Sequence, residues 1–426
     1  MKNRMRLLFL SILLFSAGNS FAQFDTYFYN KTLRLDYSHC GDNKQDEIFF
    51  EGLREEPYWG GSKTNLIDTT LYGNYYLNVY DLKTNKLIYS RGYCSLFGEW
   101  RMTDEALTTR RSCPEAVTMP FPKENVRIEI TARNKKGVFV KKFEYTVDVN
   151  SYFISKDRRL EYPTYDVMYT GNSAKRVDIV LLPEGYSADE MEQFKADCHQ
   201  FVEGLFSFSP YKENKNKFNV RAVLAPSKES GVDIPGEYIW KNTILNSSFY
   251  TFDSERYIMT YDFKSVKDLA ANVPYDYIYI IVNTQKYGGG AIYNHYGVSI
   301  SGNLHSAKVY VHEFGHLFAG LGDEYVGGAE YNDLYPPKIE PWEPNLTTLT
   351  DFGKKWKNLM DKNTPTPVDP ENPTRLGVYE GGGYVSKGVY RPWPDCLMNS
   401  LKGEAFCPAC TRPSNNKYDF IPNDTV

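Results

Sequence analysis

"VHEFGHLFAGLGDEY", residues 311–325, decides how the rest of the chain is read. His312 and His316 stand four apart, with Glu313 directly after the first. Gly320 and Gly322 follow, and then the acidic pair Asp323 and Glu324. Residues 306–319 read as a helix stopped by those glycines. On such a helix the two histidines share one face, with Cβ atoms about 6 Å apart. Two imidazoles so placed can share one zinc ion at roughly 2.0–2.1 Å. Glu313 points away by about a quarter turn, where it can take a proton from an activated water without ligating the metal. An open zinc centre needs a third protein ligand. Asp323 and Glu324 are both placed to supply it, provided that the chain reverses sharply after the helix. Glycine permits such a reversal because it tolerates positive φ.

The residues before this stretch predict an α/β layer. Residues 179–182 are a continuous apolar run, as in a strand buried on both faces. Ser187-Ala-Asp-Glu190 is a capping box that opens a helix. Met191, Phe194, Cys198, Phe201, Val202 and Leu205 then recur at helical spacing. Further strands are expected at 218–224 and 277–282, and a glycine-rich turn with two short strands at 286–301. Residues 326–380 are long, proline-rich and without periodicity, and they read as a wall of the cleft.

Residues 23 to about 150 have a different pattern. The segments 75–93 and 126–149 each hold two alternating runs around a polar turn. Such hairpins in succession indicate an antiparallel β-sandwich with one wet face. The first 22 residues carry Lys2, Arg4 and Arg6, an apolar run over 7–15, and Ser20 and Ala22 before Gln23. That is a cleavable export leader, too short to span a bilayer comfortably. The expected organisation is a leader over 1–22, a sandwich over 23–160 and a catalytic domain over 161–426. The product would be secreted, periplasmic or at the cell surface, with no stable membrane insertion.

Composition excludes some classes of partner. The net charge of −4 over 426 residues makes no electrostatic case for nucleic acid or an anionic membrane. Seven cysteines in an exported chain leave at least one unpaired. Cys198 falls on an apolar helix face. Cys396 with Cys407 or Cys410 is expected to form a disulfide, and a structural zinc on these three is the weaker option.

The stretch HEFGHLFAGLGDEY resembles the active-site sequence of the IgA peptidase family of zinc metalloendopeptidases, a metzincin-like group. The metzincin pattern is H-E-x-x-H-x-x-G-x-x-H, or Asp in the last place. His312, Glu313 and His316 match it directly, and the glycine and last ligand are each displaced by one, to Gly320 and Asp323. The resemblance makes Asp323 the third ligand, with Glu324 as second choice. It implies a methionine turn under the metal, which "PDCLMNS" (394–400) supplies with Met398. It also implies that substrate lies along an edge strand, for which residues 289–297 are placed. His295 and His305 are then rim or structural residues. Tyr384 and Tyr390, just before the methionine turn, are the possible donors to an oxyanion.

The resemblance covers about 165–426, and the sandwich looks like the module that accompanies the family. The fold expected is therefore multi-domain α+β, an antiparallel β-sandwich followed by a metzincin-like α/β zinc peptidase domain. Peptide or protein substrates follow from this, whereas cleavage of immunoglobulin A does not carry over. Two other functions stay open on the residues. One is an exported binding protein with a structural or vestigial zinc. The other is a zinc amidase on cell-envelope substrates.

Overall fold

The computed structural model describes residues 23–327, 334–336, 338–369 and 376–418. The leader lies outside the described residues. No described helix is long and apolar enough to cross a membrane.

The first domain is two four-stranded sheets packed face to face. One has the order β5-β1-β2-β8, from Arg111–Pro122, Phe28–Gly41, Asp46–Glu56 and Ile154–Ser155. The other has the order β4-β3-β6-β7, from Leu87–Tyr93, Tyr75–Asp81, Val126–Arg133 and Phe139–Val147. Both predicted hairpins form, β3 with β4 and β6 with β7. Alternation explains why the sheets stack. Along β6 the even positions are buried and the odd ones are not, so Ile128 and Ile130 meet Leu33, Leu35, Leu77 and Val79 in one core.

The second domain is built on a six-stranded sheet of order β13-β14-β12-β10-β11-β9. Its inner strands β10 (Val177–Glu184), β11 (Phe218–Val223), β12 (Tyr277–Val282) and β14 (Gly297–Ile300) run parallel. The edges β9 (Thr164–Met168) and β13 (Gly289–Ala291) run antiparallel to their neighbours. Every residue of β10 and β12 is buried, as continuous apolar runs require when both faces are covered. Ile179, Leu181, Tyr279 and Ile281 face one side. There they pack under helices Met191–Leu205 (α2), Ser306–Ala319 (α4) and Pro408–Tyr418 (α5). Val180, Leu182, Ile278 and Ile280 face the other side, against helix Phe263–Ala270 (α3) and part of the sandwich. The capping box at Ser187 is present, but it opens a 3₁₀ turn, Ala188–Glu190, that runs on into α2.

The two domains meet over a polar seam inside an apolar one. Arg34 of β1, 1% exposed, lies 2.8 Å from Asp268 on α3 and 3.3 Å from Glu56 on β2. Cys94 N donates to Tyr293 O at 2.9 Å, and the Asn294 side chain donates to Gly92 O at 2.7 Å. Between these contacts, Leu96 of the short helix Leu96–Trp100 (α1) and Ala116 of β5 join the core under the second sheet. Removing one partner from such a buried cluster leaves uncompensated charge, which costs about 3–5 kcal/mol. We therefore expect Arg34→Met to lower the stability of the whole chain by that amount in urea unfolding. A change within experimental scatter would show that the seam carries no such weight.

Candidate metal centre

Helix α4 forms where it was expected, over Ser306–Ala319. Its apolar side, with Tyr310, Val311, Phe314, Leu317 and Phe318, sinks into the main core. His312 and His316 lie on the other side, with 14% and 15% of their side chains exposed. Gly320 ends the helix in the left-handed region at φ +67°. Its N–H bonds back to His316 O, and Leu321 N–H to Gly315 O. The reversed chain then carries Asp323 back over the helix.

Gly322 has a different role from the one expected. It does not adopt positive φ, and its missing side chain makes room for a neighbour. A Cβ there would sit 2.6 Å from Leu346 Cδ1. Its backbone is clamped by Asn345, whose side chain accepts from Gly322 N and donates to Gly322 O, both at 2.8 Å. Asn345 lies in the proline-rich segment, which is thus an ordered support for the turn as well as a wall.

The result is a convergence of lone pairs. His312 Nε2 and His316 Nε2 are 3.1 Å apart. Asp323 Oδ1 is 3.1 Å from the first and 3.3 Å from the second. Each Nδ1 is within hydrogen-bond distance of a carbonyl, Leu397 O at 2.7 Å for His312 and Leu321 O at 2.5 Å for His316. Donation to those carbonyls fixes the tautomer that points a bare Nε2 at the centre. Asp323 Oδ1, buried, has no hydrogen-bond partner among the described residues. Two bare nitrogens and an orphaned carboxylate oxygen facing one another call for a cation, and this donor set suits zinc. Protons are the alternative occupant. Burial pulls His316 down, but Asp323 outweighs it and pushes it up to about 9. Burial acts against Asp323 too, yet the imidazoles hold it well below the usual carboxylate range.

Glu313 stands beside this cluster with its carboxyl raised by burial, against the opposing pull of His312 and His316. A Cβ on Gly289 would lie 2.9 Å from Glu313 Oε1, so the edge strand β13 passes directly over the carboxylate. That edge is not open along its length. Gly289 N donates to Arg256 O at 3.2 Å, and Tyr257 forms a bridge to Gly289. The segment at Arg256 and Tyr257 therefore covers the strand where Glu313 lies.

The other site residues divide. Tyr384, at φ +68°, donates its hydroxyl to Asp323 Oδ2. Tyr390 pairs through its backbone with Thr347 and packs its ring on the main core, and it is not brought to the cluster. Met398 is buried under α4, and a Cβ on Gly315 would be 3.0 Å from its sulfur. His295 is stacked on Phe263 with ring centres 3.8 Å apart and is pulled down to about 3 by burial. His305 is exposed at the start of α4. Glu324 turns away from the histidines and meets Asn345 Nδ2 and Cys410 Sγ, each at 2.9 Å. The expected disulfide at Cys396 is not formed in this structure, where the sulfurs of Cys396 and Cys407 lie 3.8 Å and 3.5 Å from that of Cys410.

Sequence reasoning missed Tyr325, Arg256 and Glu99. Arg256 Nη2 donates to Tyr325 OH, which in turn lies 3.4 Å from Tyr384 OH. Tyr325 directly follows the acidic pair, a position that could have drawn notice. Glu99 comes from α1 of the sandwich and accepts from Tyr257 OH. Burial pushes it up to about 7, against that hydrogen bond.

Comparison with known families gives this fold and cluster a class, that of a peptidase. The profile described as IgA Peptidase M64 matches residues 166–372 and 368–416, and that of the Peptidase M64 N-terminus matches 23–144. The chain belongs to the IgA peptidase M64 family. No curated protein matches it.

The reversal at Gly320 offers a direct test. A left-handed residue with a Cβ costs about 1–2 kcal/mol, and the added atom would lie 2.9 Å from Trp342. Gly320→Ala should lose at least that much stability in denaturant unfolding. Unchanged stability would mean that the turn relaxes freely.

Proposed function

We propose that the protein is an exported zinc endopeptidase. His312 Nε2, His316 Nε2 and Asp323 Oδ1 would hold the metal, with Glu313 as general base. The observation that carries this reading is the convergence of those three potential ligand atoms beside a buried carboxylate. Zinc bound there would polarise a water and a scissile carbonyl, drawing the water's pKa toward about 7.

The protein's own groups do the rest. Glu313 accepts the proton of the attacking water and returns it to the leaving amine. Burial raises its carboxyl, which makes it a better proton acceptor than an exposed glutamate. Tyr384 is assigned to the oxyanion, since its hydroxyl already sits at the cluster, on Asp323. Tyr325 and Arg256 behind it keep the hydroxyl oriented. Substrate would enter beside β13, in the space left by the segment at Arg256 and Tyr257. Met398 supports the histidines from below and ligates nothing. A structural zinc needs no general base and closes with four protein ligands, so Glu313 beside a three-donor set favours the enzyme over a binding protein.

Glu313→Gln keeps the shape and removes the base. It should retain metal while peptide hydrolysis, followed on a proteome-derived peptide library, drops by about 10²–10⁴. Cleavage at the wild-type rate would remove Glu313 from this role. Export has its own check. Protein recovered from outside the cytoplasm should begin at Gln23 in N-terminal sequencing, and retention of Met1 would refute the leader.

A further inference from the structure

The acidic residue next to Asp323 belongs to a second cluster. Glu324 Oε1 lies 2.9 Å from Cys410 Sγ. Cys410 Sγ is 3.8 Å from Cys396 Sγ and 3.5 Å from Cys407 Sγ. All four side chains are buried, and their four ligand atoms lie within 4.8 Å of one another. Three segments meet here. They are the chain just after Asp323, the turn that holds Met398, and the start of α5.

We propose that Cys396, Cys407, Cys410 and Glu324 form a second zinc site, structural and closed by four protein ligands. A tetrahedron with metal–sulfur bonds of about 2.3 Å has edges of about 3.8 Å. The two separations from Cys410 Sγ, 3.8 Å and 3.5 Å, fit that edge. Thiolates select zinc among the common divalent ions, and closure by four ligands is the mark of a structural site. Cys407 N is directed at Cys396 Sγ at 3.4 Å, the kind of contact that favours a thiolate.

The buried carboxylate decides between a metal and a disulfide. Oε2 of Glu324 has no hydrogen-bond partner, and no salt bridge reaches this residue among the described residues. A disulfide between any two of the three sulfurs would leave the third thiol and this carboxylate together with no cation in salt-bridge reach, since Arg391 acts on Glu324 only from farther away. A zinc ion uses all four. Three thiolates and one carboxylate carry the same total charge as the four thiolates of a Cys₄ site.

The site also has work to do. Glu324 N donates to Met398 O at 2.7 Å, so the same segment is tied to the methionine turn through backbone and metal alike. Asp323 is the next residue. A metal at the cysteines would hold the Asp323 turn in register with α4, and its loss would loosen the first centre.

The test uses the full chain purified without chelator, with metal counted by elemental analysis. Wild-type protein should carry about two zinc ions and the double variant His312→Ala/His316→Ala about one. Reloaded with cobalt, that histidine variant should keep the strong near-ultraviolet absorption of thiolate-to-cobalt charge transfer. Cys407→Ser/Cys410→Ser should lose it. Because the cysteine variant can fail to fold, the histidine variant decides. A histidine variant without metal and without that absorption overturns the proposal. So does an intact mass, after alkylation without reductant, that shows two of the three cysteines joined. A histidine variant that holds as much zinc as wild type would instead refute the catalytic centre and leave this site standing.

Discussion

Adjacent residues Asp323 and Glu324 face opposite ways, and the site depends on that alternation. Here the two sides are a pair of imidazoles and a group of three thiols. The segment is placed to do this because Gly320 has already reversed the chain and Asn345 holds Gly322 at both its N–H and its C=O. The turn also acts on the helix it has just left, since Leu321 O is the partner of His316 Nδ1. One short segment thus orients a histidine, delivers a carboxylate to it and anchors itself behind.

The parallel sheet explains why this segment has something rigid to reverse against. Strands β10 and β12 are buried on both faces, so their side chains cannot slip by one residue without moving apolar groups into the wrong layer. Helix α4 docks on that sheet through Phe314 and Phe318, stacked with centres 5.3 Å apart. Its polar side is then directed away from the core by exclusion, and His312 and His316 are on that side. Close packing leaves such a helix little freedom. Glycine has a separate use here, because Gly289 and Gly315 let the edge strand and Met398 approach the helix closely.

Much of this was legible in the sequence, and the rest was hidden for identifiable reasons. Helix α4 and the strands β10, β11 and β12 declare themselves through local periodicity. The hairpins of the sandwich do so through alternation around polar turns. Gly320 could be read because a glycine that ends a helix has a local cause. Gly322 could not, because its cause is Leu346, over twenty positions away and inside a stretch without periodicity. Asn345 was hidden for the same reason. The pairing of Tyr384 rather than Tyr390 with Asp323 depends on the left-handed turn at Tyr384, which no residue type in that stretch announces. Cysteine spacing suggested that Cys396, Cys407 and Cys410 lie together. It could not show a carboxylate from another segment among them, and that carboxylate separates a metal site from a disulfide.

The sandwich carries no chemistry-bearing motif of its own, and its sequence reads as a spacer or binding module. The structure gives it a closer part. Glu99 accepts from Tyr257 OH, and Tyr257 and Arg256 are the residues that cover β13 above Glu313. Arg256 in turn donates to Tyr325 beside Tyr384. A carboxylate of the first domain therefore holds the segment that borders the cleft of the second. The contact of Cys94 N with Tyr293 O fixes the same edge from the other end, just past β13. The sandwich thus touches both the segment above Glu313 and the chain just past β13. That is a physical reason for the two domains to occur as a unit, since the second domain alone would leave the segment that covers β13 without its anchor at Glu99.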